Sequence, residues 1–284
     1  MLTPIRSPLG TMITWRVVQH GARPLLRWWR LHSRYVTTRH GRIHYYDSHP
    51  DGGPRQASLM VHGIGSSSLS LVPVALQLAH VSRMILPDLP HFAGLSKCPR
   101  PLLRTHDYVD IIAEMIRTLG LPPVDLCGHS LGGGASIHLA GRYPESVRSL
   151  GLMNPAGFRR GFDRLRAQFI TSDTKVEAGF LAPLTQGELG EKIKNYLASI
   201  SPKDFVDRSL GLVRCPTLVL WGEDDALYDL KYPQYLLRKI RGSSLVLIPG
   251  AGHLVPQEAP SLVAKGLATF WQGLSELTTR QGSN

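Results

Sequence analysis

Cysteines are few in this chain, and long hydrophobic runs are absent. The three cysteines among 284 residues lie far apart, at Cys98, Cys127 and Cys215, which argues against a disulfide framework and a cysteine-ligated metal site. No stretch reaches the roughly 18 apolar residues of a membrane-spanning helix, and no secretory signal sequence is recognisable near the start. We therefore expect a cytoplasmic protein that needs no metal and no organic cofactor.

Acidic residues are missing from the first part of the chain. Residues 1–46 hold eight arginines and neither aspartate nor glutamate, so they supply most of the net charge of +11. Because the rest of the chain is only mildly basic, this charge does not indicate a nucleic-acid-binding surface, and we expect no nucleic-acid partner.

Five of these arginines recur at helical spacing, at positions 16, 23, 27, 30 and 34. With Pro24 in its first turn, a helix over about residues 24–34 would carry Trp28 and Trp29 beside this basic stripe. Three roles remain open for the segment. It contacts an anionic membrane surface through residues 16–34, it docks on the body of the protein with both tryptophans in a groove, or it is an organellar targeting sequence. The first role would make the protein peripheral to a membrane.

Apolar runs that alternate with helix-like segments dominate the remainder of the chain. Residues 34–39 and 42–47 alternate in polarity around a His-Gly turn and predict a β-hairpin. Later short strands alternate with helices, which indicates a mainly parallel sheet with helices on both faces. The alternation stops over residues 155–212, and this predicts a helical cap at the carboxyl edge of the sheet, inserted before the strand at 216–221. The predicted organisation is a basic extension (1–33), an α/β core (34–154 and 213–284) and a cap (155–212).

The stretch Gly128-His129-Ser130-Leu131-Gly132 has the pattern G-x-S-x-G between an apolar run and a helix-like run. This context predicts a nucleophile elbow, in which a sharp strand-to-helix turn exposes the serine hydroxyl. Because that hydroxyl is a weak nucleophile at neutral pH, it needs a histidine base and an acid that orients the base. Both follow later in the chain: Asp224 and Asp225 come after the strand at 216–221, and His253 lies in a glycine-rich loop after the last predicted strand.

These motifs resemble those of α/β-hydrolase-fold serine hydrolases over about residues 35–275. The family's W-G-x-x-D pattern ends here at Asp225, and its G-x-G-H pattern ends at His253. The elbow, the basic extension and the segment Asn154-Pro155-Ala156-Gly157-Phe158 resemble monoacylglycerol lipases and related small lipases. The resemblance implies an α/β-hydrolase fold, Ser130 as the nucleophile, His253 as the base and Asp225 as the acid.

The segment His62-Gly63-Ile64-Gly65 resembles the loop that follows the third strand in this family. The resemblance implies an oxyanion hole formed by the backbone N–H groups of Ile64 and Leu131. Four further residues are expected at the substrate pocket, namely His62, His129, Phe158 and Phe162.

A serine nucleophile excludes the members of this family that use aspartate, the epoxide hydrolases and dehalogenases. The aromatic residues of the predicted cap and the basic extension favour a small-molecule ester with an apolar acyl chain. We expect a lipase or esterase that cleaves carboxylic esters through an acyl-enzyme. A thioesterase, an acyltransferase or a carbon–carbon bond hydrolase with the same triad remains an alternative, as does a non-catalytic binding protein. The sequence leaves the oligomeric state open.

Overall fold

The structure is a computed structural model that describes residues 21, 24–53, 56–163, 166 and 187–281, with side chains up to residue 277. These residues form an eight-stranded sheet with the spatial order β1-β2-β4-β3-β5-β6-β7-β8. In chain order the strands are β1 (His32–Thr38), β2 (Gly41–Asp47), β3 (Ala57–Val61), β4 (Arg83–Pro87), β5 (Val124–His129), β6 (Val147–Met153), β7 (Thr217–Gly222) and β8 (Ser244–Ile248).

The predicted β-hairpin is confirmed as the antiparallel pair β1 and β2. The two strands pair along their full length, with Thr38 opposite Gly41 at the turn. The φ angle of Gly41 is +135°, a conformation that favours glycine, and an added Cβ there would collide with the backbone oxygen of Lys97. The hairpin joins the rest of the sheet through antiparallel pairing of β2 with β4.

The other six strands, β3 to β8, pair in parallel. Their carboxyl ends therefore lie at one edge of the sheet, where open α/β sheets bind ligands. β3 ends at Val61, β5 at His129, β7 at Gly222 and β8 at Ile248. Because these strands are neighbours or near neighbours in the sheet, the loops that follow them meet at this edge.

Successive side chains of the parallel strands pack into two different hydrophobic cores. In β3, Leu59 and Val61 belong to one core and Met60 to the other, as the two-residue repeat of a strand requires. Helices α2 and α3 contribute to the first core, whereas α1 and α7 contribute to the second, so helices cover both faces as predicted. In chain order the helices are α1 (Val72–Leu78), α2 (Thr105–Thr118), α3 (Leu131–Arg142), α4 (Gly187–Ser199), α5 (Lys231–Lys239), α6 (Val255–Glu258) and α7 (Pro260–Gln281).

The predicted cap lies partly outside the described residues. Between β6 and β7 the described part of the chain contains α4 and short 3-10 turns but no strand. Leu189, Ile193 and Leu197 recur every four residues on α4, and all three are buried in the first core. This face attaches α4 to the body of the protein.

The predicted helix over residues 24–34 is wrong at its end. Within that range only residues 24–28 are helical, and β1 begins at His32. Arg30 has a φ angle of +60°, which ends the helical path, and pairing with β2 then holds the chain extended. Residues 1–20, 22 and 23 of the predicted extension 1–33 lie outside the described residues. None of the described helices combines the length and hydropathy that a bilayer crossing requires.

Candidate active site

Ser130 occupies the sharp turn between β5 and α3. Its φ angle is +51°, which is unfavourable for a residue with a side chain and is held by the backbone around it. An added Cβ on Gly128 would collide with the carbonyl oxygen of Gly132, and one on Gly132 would collide with that of Val61. Both glycines are therefore required for the turn to pack this closely.

Backbone hydrogen bonds fix the turn against the next strand. The N–H of Ser130 donates to the carbonyl oxygen of Met153 at 3.1 Å, and the Ser130 carbonyl accepts from Gly134 at 3.0 Å and Ala156 at 2.9 Å. Because these partners belong to α3, to the last residue of β6 and to the loop after it, the strained residue is held from both sides.

His253 and Asp225 extend from Ser130 as a hydrogen-bonded chain. The Nε2 atom of His253 lies 3.0 Å from Ser130 Oγ, and its Nδ1 atom lies 2.9 Å from Asp225 Oδ2. All three residues are buried. In an imidazole that donates from Nδ1 to the carboxylate, the unprotonated Nε2 is the atom that accepts the serine proton. The geometry thus suits activation of a serine hydroxyl.

Asp225 is held by four hydrogen bonds. Oδ1 accepts from the backbone N–H groups of Leu227 at 2.8 Å and Tyr228 at 3.1 Å, and Oδ2 accepts from His253 and from Asn154 Nδ2 at 2.6 Å. Burial alone would raise the pKa of Asp225, but the hydrogen bonds from His253 and Asn154 hold it below its usual value. The carboxylate therefore stays ionised at neutral pH. The neighbouring Asp224 is exposed.

The side chain of Glu258 fixes the loop that carries His253. Its Oε2 accepts from the backbone N–H of Gly252 at 2.5 Å, and its Oε1 accepts from that of Leu254 at 3.0 Å. These two bonds hold the backbone on either side of His253 and so fix the position of the histidine.

Ile64 and Leu131 lie beside Ser130 and line the same cavity. Ile64 follows β3, which pairs directly with β5, whereas Leu131 is the first residue of α3. The first N–H groups of a helix lack partners within the helix and lie at the positive end of its dipole. The structure therefore brings both predicted oxyanion-hole residues to the serine.

The loop with Ile64 is braced by His62. His62 Nδ1 donates to the carbonyl oxygen of Gly63 at 2.8 Å, and Nε2 accepts from the backbone N–H of Leu89 at 2.9 Å. Burial lowers the pKa of His62, so the ring is neutral, as this pair of bonds requires. His62 is fully buried beneath the cavity and does not line it. The prediction that it borders the substrate pocket is wrong because the ring is used to position the loop.

A cavity of about 490 Å³ opens onto Ser130, a size typical of a small-molecule site. Phe162 lines it, as predicted, and its ring lies 5.3 Å from that of Phe205. Phe158 does not line it, contrary to prediction, because its ring is buried against Tyr232 at 4.9 Å.

His129 lines the cavity, as predicted, but one of its ring nitrogens is already engaged. Nε2 donates to the backbone oxygen of His253 at 2.8 Å. Burial, with a smaller contribution from His253, lowers the pKa of His129 to about 3. The ring is therefore a neutral support for the histidine loop rather than a second base.

The described lining of the cavity is mostly apolar and contains no lysine or arginine. Its polar groups include Thr105 and Tyr196, whose hydroxyls lie 3.0 Å apart, and Asp204, which accepts hydrogen bonds from Ser201. Among the described residues, no cluster of histidine, cysteine or acidic side chains is arranged to hold a metal ion.

A second serine–histidine–aspartate chain lies at the edge of the sheet. Ser33 Oγ is 2.9 Å from His44 Nε2, and His44 Nδ1 is 2.7 Å from Asp88 Oδ2. Burial alone would raise the pKa of Asp88, but hydrogen bonds from His44 and Ser68 lower it to about 2. Ser33 lies on the extended edge strand β1 and does not line the cavity at Ser130. It provides an internal comparison for Ser130.

Comparison with known proteins gives consistent matches. A family model described as the alpha/beta hydrolase family matches residues 59–265. Monoacylglycerol lipase ABHD6 of Bos taurus is 25% identical over 255 residues, which cover 77% of this chain and 76% of that protein. The carboxylesterase nap of Bacillus subtilis (strain 168), itself uncharacterized, is 27% identical over 270 residues, covering 85% of this chain and 87% of that one.

Solved structures show the same architecture. The crystal structure of lip1 from Acinetobacter baumannii AYE superimposes with a TM-score of 0.74 at 20% identity, covering 97% of this chain and 99% of that chain. The predicted α/β-hydrolase fold and the resemblance to lipases and esterases are thereby confirmed.

Proposed function

Since the chain belongs to the alpha/beta hydrolase family, we propose that it cleaves carboxylic esters with apolar acyl chains through an acyl-enzyme on Ser130. The observation that carries the proposal is the hydrogen-bonded chain Ser130–His253–Asp225 at the floor of an apolar cavity. Membership of the family and similarity to lipases and carboxylesterases make the chain a hydrolase.

Ser130 Oγ attacks the ester carbonyl carbon while His253 Nε2 takes the hydroxyl proton. The tetrahedral intermediate collapses when His253 returns that proton to the leaving alcohol, and the acyl group remains on Ser130. A water molecule then gives a proton to His253 and attacks the acyl carbon. The second tetrahedral intermediate collapses when His253 passes this proton to Ser130 Oγ, which releases the carboxylic acid and restores the hydroxyl. Asp225 keeps the imidazole in the required tautomer and stabilises its cation in both steps.

The N–H groups of Ile64 and Leu131 bind the oxygen on which negative charge develops. Such donors act mainly on the transition state, and loss of one costs on the order of 3 kcal/mol in other serine hydrolases. Because both donors belong to the backbone, they are fixed before substrate binds.

The cavity favours a neutral substrate. A carboxylate beside the scissile bond would be buried without a cationic partner among the described lining residues, and Asp204 would add repulsion. This composition disfavours a carbon–carbon bond hydrolase, whose dienoate substrates are anionic. The similarity to a monoacylglycerol lipase and to a carboxylesterase supports neutral esters in the same way.

Two p-nitrophenyl esters of equal chain length test this selectivity. We expect the kcat/KM of the butyrate to exceed that of the hemisuccinate by about 100-fold, because the added carboxylate must lose its water without gaining a partner. Release of p-nitrophenol measures both rates, and analysis of the acyl product in the presence of glycerol separates hydrolysis from acyl transfer. A preference for the hemisuccinate would remove the proposal of a neutral substrate, and esters of glycerol as the main product would indicate a transferase.

Asn154 is proposed as a positioning residue for the triad. Its side chain is fully buried between Asp225 and the backbone N–H of Gly222, to which its Oδ1 lies at 3.1 Å, and its own φ angle is +41°. Asn154→Gly keeps this backbone conformation and removes the amide. We expect kcat to fall by roughly 10- to 100-fold with little change in KM, since one hydrogen bond to a charged group is lost outside the cavity lining.

The matched control is Ser149→Ala on β6, the strand that ends directly before Asn154. Ser149 is equally buried but donates to Asp125, away from the triad, so this variant should lose stability and keep its kcat. Steady-state kinetics and Tm measured on both variants separate the two effects. A normal kcat in Asn154→Gly would leave Asn154 with a structural role only.

A further inference from the structure

A short basic segment before the first strand has one buried side and one exposed side. This segment, residues 24–31, is here named the tryptophan turn. Backbone bonds close it, from Trp29 N–H to Leu25 at 3.0 Å and from Leu31 N–H to Leu26 at 2.8 Å. Leu26 and Leu31 are buried in the second hydrophobic core. The turn is therefore anchored to the body, and the direction of its outer side is fixed.

Three large apolar side chains lie on the outer side of the tryptophan turn. Leu25 is 47%, Trp28 78% and Trp29 42% exposed. By contrast, Trp221 and Trp271 are buried. Adjacent exposed indoles are unfavourable in water, and a clustered apolar surface of this kind marks a site of interaction. Their aromatic rings suit the boundary between lipid chains and water.

Positive charge surrounds these apolar side chains. Arg27 and Arg30 are exposed within the tryptophan turn, and no acidic residue precedes Asp47 in the sequence. None of the ion pairs within the described part of the chain involves either arginine. The surface thus combines apolar rings with cations that remain available to an anionic partner.

We propose that the tryptophan turn docks on the surface of an anionic lipid bilayer. Trp28, Trp29 and Leu25 enter the headgroup boundary, while Arg27 and Arg30 bind lipid phosphates. The charge selects this partner over a second copy of the chain, because two such surfaces facing each other would bring like charges together. Docking is a property of this turn and does not depend on ester hydrolysis.

Flotation with vesicles of phosphatidylcholine and phosphatidylglycerol, in about a three-to-one ratio, tests the proposal on the full chain. We expect the protein to float with these vesicles, to remain behind with pure phosphatidylcholine, and to dissociate as salt is raised. Trp28→Ser/Trp29→Ser should weaken binding about tenfold or more, since the apolar contact is lost. Arg27→Gln/Arg30→Gln should weaken it roughly 30-fold, from the loss of two phosphate contacts.

Matched controls use exposed residues of the same kinds elsewhere. Leu277→Ser changes a leucine on α7 that is 58% exposed, and Arg238→Gln/Arg241→Gln removes two exposed arginines at and after the end of α5. The leucine variant should bind as the wild type does, and the arginine control should lose much less binding than Arg27→Gln/Arg30→Gln. Turnover of a soluble ester should be unchanged in every variant, which shows that each one is folded.

Three results would overturn the proposal. The first is equal flotation of the wild type and the Trp28→Ser/Trp29→Ser variant. The second is binding to neutral and anionic vesicles alike. The third is a wild type that does not float but self-associates in sedimentation, with the tryptophan variant monomeric, which would assign the surface to a second copy.

Discussion

Ser130→Ala is expected to lower the kcat for p-nitrophenyl esters by roughly a millionfold, the scale seen when other serine hydrolases lose their nucleophile. The reason is that no other hydroxyl in the described structure combines a base at 3.0 Å with a cavity and an oxyanion site. Steady-state turnover of a long-chain p-nitrophenyl ester measures the loss of kcat, and the Tm of the variant shows whether it is folded. We expect the fold to survive, because backbone hydrogen bonds rather than the side-chain hydroxyl hold the turn at Ser130.

Ser33→Ala is the matched control for this experiment. Ser33 also faces a histidine backed by an aspartate, at closely similar distances. It differs in lying on an extended strand and outside the cavity. Full activity in Ser33→Ala, with activity lost in Ser130→Ala, would show that such a hydrogen-bonded chain is catalytic only together with the elbow and the cavity. Loss of activity in Ser33→Ala alone would contradict the assignment of the nucleophile.

Asp225→Asn is expected to lower kcat by about 10,000-fold while binding is little affected. The two backbone N–H groups of Leu227 and Tyr228 both donate to Oδ1, so the amide oxygen of the new asparagine must face them. Its NH2 group then faces His253 Nδ1, which becomes an acceptor. The ring proton moves to Nε2 and points at Ser130, where a base is needed.

Asp224→Asn is the control for this change, since Asp224 is the adjacent acid that the sequence also offers. It is exposed, and its backbone N–H rather than its carboxylate holds the loop, through Ala251 at 2.9 Å. We expect wild-type kcat for Asp224→Asn across the pH range. Steady-state kinetics that show the larger loss in Asp224→Asn would reverse the assignment of the acid.

The sequence predicts the sheet and its edge well because both follow from local patterns. The run at β5, the glycines of the elbow and the apolar segments before Asp225 and His253 each mark the end of a parallel strand. Parallel strands bring such ends to one edge, so residues more than a hundred positions apart are predicted to meet. The distance of 3.0 Å between Ser130 Oγ and His253 Nε2 in the structure fits that expectation.

The sequence predicts poorly the roles of side chains whose contacts depend on tertiary packing. Phe158 is one residue of an aromatic cluster rather than a pocket wall, and His62 supports a loop rather than the substrate. Nothing in their neighbouring residues distinguishes these roles. Asn154 had a local signal, a polar residue at the end of the apolar strand β6, but its contact with Asp225 spans 71 positions. The tryptophan turn shows the same limit. The spacing of the arginines predicts a helix up to residue 34, but the chain pairs as β1 from His32 onward, so the helix ends earlier.

The acyl-enzyme itself is the most direct test of the central claim. The wild-type protein would be mixed with a slowly hydrolysed p-nitrophenyl ester, quenched in acid within the first turnover and digested for mass spectrometry. We predict one acyl group on the peptide that contains Ser130, together with a burst of one p-nitrophenol per protein molecule. Sustained turnover without an adduct on Ser130, or with the acyl group on another residue, would contradict the proposed mechanism.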